Sequence, residues 1–129
     1  MSRRPEPTAT SAPFWQAVAH GQLSYPRCPS CFRWHSYPRP WCTGCLHEPL
    51  RLHPVSGFGT VHAVTVVHRA LSPAFTAQVP YAHALVDLDE GLRVLSLVVG
   101  CPPDDVHQGM RVRAALGDDA LVLFRPSQV

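Results

Sequence analysis

The sequence predicts a mainly β protein in which a short N-terminal helix and a metal-stapled module precede a five-stranded OB-fold barrel. Three observations carry this expectation. Four cysteines fall as two C-x2-C pairs, Cys28/Cys31 and Cys42/Cys45, with ten residues between the pairs. After Ser56 come five short apolar or alternating stretches separated by turn residues. Fourteen prolines in 129 residues disfavour long helices and favour loops and edge strands.

Residues 2–12 are polar and proline-bearing and read as a flexible tail, giving a first division at 1–12. A helix fits Pro13 to His20, with Ser11 as cap, Pro13 in the first turn and Gly21 as terminator. Phe14, Ala17 and Val18 share one face of it, and Trp15 lies beside them. A helix this short is not stable alone and has to dock.

The helix and the four-cysteine segment form the second division, residues 13–50. Each C-x2-C turn carries two thiolates on one side of a knuckle, and two knuckles complete a tetrahedral four-sulfur site. Cys28, Cys31, Cys42 and Cys45 are therefore the candidate metal ligands. Zinc is the default metal; an iron site uses the same ligands, and spacing does not separate the two. Such a site is coordinatively closed and holds no substrate, so it points to structure before chemistry. A segment this small has little core, and metal binding would supply on the order of 10 kcal/mol of its folding free energy. Tyr25, Phe32, Trp34, Tyr37 and Trp41 crowd it and are expected to cover the knuckles.

Residues 51–129 form the third division, the barrel. Its strands are expected over Val61–Val67, Ala82–Leu88, Leu92–Val99, Met110–Ala114 and Leu121–Phe124, with Asp89-Glu90-Gly91 as a hairpin turn. Five short strands suit a small barrel. The stretch Arg69 to Pro80 has no clear strand, and a loop of that length in a compact domain tends to be functional. Cys101 has no partner by spacing and reads as a small buried apolar residue.

Composition narrows the function. The net charge is +2, and all 11 basic residues are arginine. A module pairing a zinc ribbon with an OB-fold can bind nucleic acid, but this charge argues against a strong phosphate-binding surface. Arg69, Arg93, Arg111 and Arg113 could form a local basic patch. The histidines show no metal or triad spacing, so catalysis by this chain is not expected. No run reaches membrane-spanning length and the N-terminus lacks an apolar signal core, which predicts a cytoplasmic protein with reduced thiols.

The order of motifs resembles one family. It runs through Phe14-Trp15, Gly21-x-Leu23, the two cysteine pairs, Gly57–Val61, Val67-His68-Arg69 and Pro80-Tyr81. It continues through Val86-x-Leu88-x-Glu90-Gly91-x-Arg93 and Asp104-Asp105-Val106…Gly109-Met110-x-Val112, so that it covers about residues 13 to 125. The family is that of zinc-ribbon/OB-fold accessory proteins once called domain of unknown function thirty-five. The resemblance implies a rubredoxin-like zinc ribbon, with zinc as cofactor on the four cysteines. It implies a non-catalytic subunit bound to a thiolase-fold or ketosynthase-like enzyme (a thiolase, an acyltransferase or a steroid side-chain aldolase), helping to form its acyl-CoA channel. His68, Arg69, Tyr81 and Arg93 are the candidate ligand or coenzyme A contacts. One departure stands out: the family usually has glycine after the second cysteine of the first pair, where the chain favours positive φ, and here Phe32 stands.

Overall fold

The computed structural model describes residues 6–69, 73, 78–116 and 122–127. Helix α1 spans Ala12–Ala19. Two short strands, β1 (Ser24–Arg27) and β2 (Arg51–Pro54), pair antiparallel, with Ser24 opposite Pro54 and Arg27 opposite Arg51. The cysteine knuckles hang from this hairpin between its two strands. Sequence patterning does not show these strands. They are four residues long, and each contains a proline.

Strands β3 (Phe58–Val67), β4 (Tyr81–Leu88), β5 (Arg93–Val98), β6 (Arg111–Leu116) and β7 (Val122–Pro126) form a closed barrel in the order β3-β4-β5-β7-β6. All its pairings are antiparallel except β5–β7, which closes the barrel with Val98 opposite Phe124. This is the five-stranded OB topology expected from the sequence. The strands start or end within a few residues of their expected bounds. Leu121, placed in the last strand, lies outside the described residues, as does most of the Arg69–Pro80 stretch.

Alternation sets which side chains fill the barrel. Along β4, Ala82, Ala84, Val86 and Leu88 are buried, and Tyr81, His83, Leu85 and Asp87 are only partly so. Val61, Val94, Val98, Val112 and Phe124 complete the interior. Gly59 is glycine because β3 and β4 approach closely there: a Cβ would stand 2.7 Å from the Asp87 carbonyl oxygen and 2.8 Å from Val86 Cγ1. The β4–β5 turn closes as expected, with Gly91 at φ 97° and the Leu88 N–H donating to Leu92 O at 2.7 Å.

Helix α1 docks by Phe14 and Val18, both buried, and Phe14 packs edge-on to Trp15 and against Tyr25. One core thus runs from α1 through Leu23, Tyr25 and Val55 into the barrel. Ser11 does not cap the helix with its side chain. Its hydroxyl instead accepts from the Thr8 N–H at 2.8 Å, and Thr8 Oγ1 accepts from the Ser11 N–H at 3.1 Å, which ties the preceding turn together.

Candidate metal centre

The two knuckles are built alike. In the first, the Phe32 N–H donates to Cys28 O and the Cys28 N–H to Arg33 O, each at 2.9 Å. In the second, the Leu46 N–H donates to Cys42 O and the Cys42 N–H to His47 O, again at 2.9 Å. This pattern turns the chain tightly enough to bring both sulfurs of a pair to one side. It also forces the residue after each pair into the left-handed region: Phe32 has φ 65° and Leu46 has φ 64°. The departure from glycine at Phe32 therefore leaves the turn unchanged. The backbone takes the strained conformation, and it does so twice.

The four Sγ atoms lie within 4.8 Å of one another. Two close approaches cross between knuckles, Cys28 to Cys45 and Cys31 to Cys42, both 3.5 Å. Zinc at about 2.3 Å from four tetrahedral sulfurs requires sulfur separations of about 3.8 Å, so the set fits the ion. Backbone amides prepare the thiolates. Ser30 and Cys31 N–H groups donate to Cys28 Sγ at 3.4 Å, and the Gly44 N–H donates to Cys42 Sγ at 3.3 Å. Burial opposes charge on Cys42, yet the N–H groups of Cys45 and Gly44, with His35 and Cys31, outweigh it and hold the thiol down at about 5. Cys28 is lowered in the same way: burial raises it, and the Cys31 and Ser30 amides more than offset that. Cys31 moves up to about 11: the Arg33 N–H favours its thiolate, but the neighbouring Cys42 sulfur and burial prevail. Four sulfurs this close cannot all be ionised without a cation among them. Zinc supplies that charge and is the cofactor of this site.

Cys28 and Cys42 are buried, and Cys31 and Cys45 face solvent. A zinc ion with four thiolates keeps a net negative charge, and two arginines lie beside it. Arg27 Nε donates to Phe32 O at 3.0 Å, and its guanidinium lies 4.8 Å from the Trp34 ring centre. The Arg33 side chain crosses the second knuckle, where a Cβ on Gly44 would stand 2.6 Å from its Nε. Sequence reading did not single out His35, Arg27 or Arg33. The first is one of eight histidines without metal spacing, and the others acquire their position only when the knuckles close.

The five aromatics of this segment divide between core and surface. Tyr25 is buried in the core against Phe14, and Trp34 is partly buried beside His53. Phe32, Tyr37 and Trp41 face solvent at 62%, 60% and 48% exposure, and Leu46 is 72% exposed.

The candidate ligand residues divide between the two ends of the barrel. His68 and Arg69 are exposed just past β3, and Tyr81 opens β4 opposite Val67, so these three share one end. Arg93 lies opposite Asp87, about 20 Å away along β4. There Arg93 Nε donates to Asp87 Oδ1 at 2.7 Å, and a further guanidinium nitrogen is 3.3 Å from His62 Nδ1. Beside it Arg111 makes a two-pronged pair with Asp89 at 2.8 and 3.0 Å. Hydrogen bonds and charge from Arg93 and Arg111 hold the Asp87 and Asp89 carboxyls below the usual carboxylate range.

Comparison with known proteins bears on this architecture. Residues 15–50 match the family model described as the ChsH2 rubredoxin-like zinc ribbon domain, and residues 52–117 match the ChsH2 C-terminal OB-fold domain. A DUF35 domain-containing scaffold protein of Methanocaldococcus jannaschii is 34% identical over 108 residues, covering 76% of this chain and 74% of that protein. The 3-oxo-4,17-pregnadiene-20-carboxyl-CoA hydratase alpha subunit of Mycobacterium tuberculosis is 33% identical over 89% of this chain, which spans only 36% of its length. A probable enoyl-CoA hydratase alpha subunit of Thermomonospora curvata is 33% identical over 96% of this chain, which spans 40% of it. A solved chain of an Ltp2-ChsH2(DUF35) aldolase superposes with a TM-score of 0.81 at 31% identity, covering 95% of this chain and 98% of that one. A fold of two modules, with a four-cysteine zinc ribbon carried on a closed OB barrel, and these matches together place the chain in the DUF35 family of ChsH2-type zinc-ribbon/OB-fold proteins.

Proposed function

We propose that the chain is a non-catalytic accessory subunit of an acyl-CoA-processing complex, docking on a thiolase-fold enzyme through its zinc ribbon and helping to form that enzyme's acyl-CoA channel. Residues 13–50 act as the docking module and residues 51–129 as the barrel module. The observation that carries the docking role is at the knuckles. Phe32 and Leu46 occupy positive-φ positions that glycine would take without strain, and both side chains face solvent. Each costs about 1–2 kcal/mol of backbone strain and gains little burial within the chain. Trp41 and Tyr37 are exposed as well, so that among the described residues four of the five exposed large hydrophobics lie between residues 32 and 46. Such a concentration is expected of a surface that is covered in a complex. The likeness to a chain of an Ltp2-ChsH2 aldolase supports an enzyme partner, and the names of the hydratase relatives support acyl-CoA as its substrate class.

The site chemistry supports the non-catalytic reading. A metal with four protein thiolates has no open position for water or substrate. His68, Arg69 and Tyr81, at one barrel end, are proposed to face the channel. Arg93 contacts it only if a ligand displaces Asp87. The nucleic-acid reading is weakened by Arg93 and Arg111, both already neutralised by aspartates. The test is co-expression with a candidate thiolase-fold enzyme. Co-elution, and acyl-CoA turnover by that enzyme only when the chain is present, are expected. A lone monomer that binds single-stranded nucleic acid with steep salt dependence would overturn the reading.

A further inference from the structure

A cleft of about 350 Å³ lies beside Phe14, Pro26 and Pro38. Thr10 and Pro13 at the start of α1, Arg39 of the Pro38–Pro40 stretch, and Arg51 of β2 line it, with Leu50 and Leu52 as its apolar wall. Its charge is one-sided, because no aspartate or glutamate lines it. Among the described residues neither Arg39 nor Arg51 has an ion-pair partner, whereas Arg93 and Arg111 on the barrel each have an aspartate within 2.8 Å. Arg39 Nε is buried and has no hydrogen-bond partner. Two unpaired guanidiniums lining one cleft repel each other, and the terminal nitrogens of Arg39, not its buried Nε, are the ones left to meet a ligand there. The first turn of α1 has no acidic residue to offset its positive end.

We propose that this cleft binds a phosphate group, with the Arg39 and Arg51 guanidiniums as its charged clamps and Thr10 and the start of α1 at its rim. The donor count selects phosphate over carboxylate. Two forked guanidiniums and a hydroxyl present more donors than a carboxylate's two oxygens can accept, whereas a phosphate or diphosphate offers enough oxygens for all of them. Coenzyme A carries both a diphosphate and a 3′-phosphate. The proposal thus deepens the accessory-subunit reading and borrows from it only the choice of that probe.

The test titrates the purified, zinc-loaded chain by calorimetry with acetyl-coenzyme A, its 3′-dephospho form, inorganic pyrophosphate and butyrate. No partner enzyme is present, so failure here is distinct from failure of the docking role. Binding of pyrophosphate and acetyl-coenzyme A is expected, weakened about tenfold or more by Arg39→Gln or by Arg51→Gln and unchanged by Arg113→Gln. Zinc content and thermal midpoint confirm that each variant is folded, and Arg39→Lys serves as a second probe that keeps the charge but loses the fork. A drop in affinity for the 3′-dephospho form assigns the cleft to the 3′-phosphate; equal affinity assigns it to the diphosphate. No binding at millimolar probe, equal losses in Arg113→Gln, or butyrate binding as tightly as pyrophosphate would each overturn the proposal.

Discussion

Replacing Leu46 by glycine and, separately, by alanine isolates the strain at the zinc knuckles. Both variants delete the same exposed side chain, so the lost apolar contact largely cancels between them. They differ in backbone freedom. At φ 64° alanine keeps the Cβ clash of a left-handed residue, about 1–2 kcal/mol, and glycine removes it. Glycine is also freer in the unfolded chain, which offsets about 0.5–1 kcal/mol of that relief. Leu46→Gly should therefore be more stable than Leu46→Ala by about 0.5–1 kcal/mol, the reverse of the order in a helix. Ribbon folding and zinc binding are linked, so the same difference should appear as a roughly two- to fivefold tighter zinc affinity, read by competition with a chromophoric chelator. The pair Phe32→Gly and Phe32→Ala should repeat the order, because Phe32 has φ 65° and both variants lose its contact with the Arg27 guanidinium, 5.7 Å from its ring centre. Capture of the partner enzyme should weaken in all four variants while zinc is retained. If alanine equals or exceeds glycine at both positions, the strain argument fails; if partner capture is untouched, strain there has no tie to docking.

Cys28→Ser or Cys42→Ser should abolish zinc retention and unfold the ribbon, measured by elemental analysis and near-ultraviolet circular dichroism; iron in the wild-type protein would contradict the zinc assignment. Gly59→Ala should lower the unfolding free energy of zinc-saturated protein by about 1–3 kcal/mol in a denaturant titration, because its Cβ would meet the β4 backbone at 2.7 Å; an unchanged midpoint would show that the strands can part without cost. Asp87 and Asp89 have depressed carboxyl pKa values in the fold, so their stabilising contribution is complete above the ordinary value of 3.8 and is lost as pH falls through the lower folded values. The acid limb of the stability profile should accordingly flatten in Asp87→Asn and Asp89→Asn, and an unchanged slope would show that the two arginine pairs contribute nothing.

The sequence by itself determined the fold class and the four-cysteine cluster. Both are local: a C-x2-C turn fixes its own sulfur geometry within five residues, and alternation along a strand such as β4 states which side chains point inward. Tertiary structure decided what depends on distant segments meeting. The ribbon hairpin β1–β2 joins residues 24–27 to residues 51–54, and its two proline-containing strands are visible only once paired. Tyr25 looked like one more aromatic of the metal module and instead became core, because Phe14 of α1 lands on it. Arg93, grouped by motif with His68, Arg69 and Tyr81, lies at the other end of the barrel, since β5 runs antiparallel to β4 and starts opposite Asp87. The same non-local logic separates arginines that are chemically identical in the sequence. The barrel register sets Arg93 and Arg111 against aspartates, and the docking of α1 on the ribbon leaves Arg39 and Arg51 around a cleft with no carboxylate. Charge pairing is a property of distance, and distance between remote residues is what folding sets.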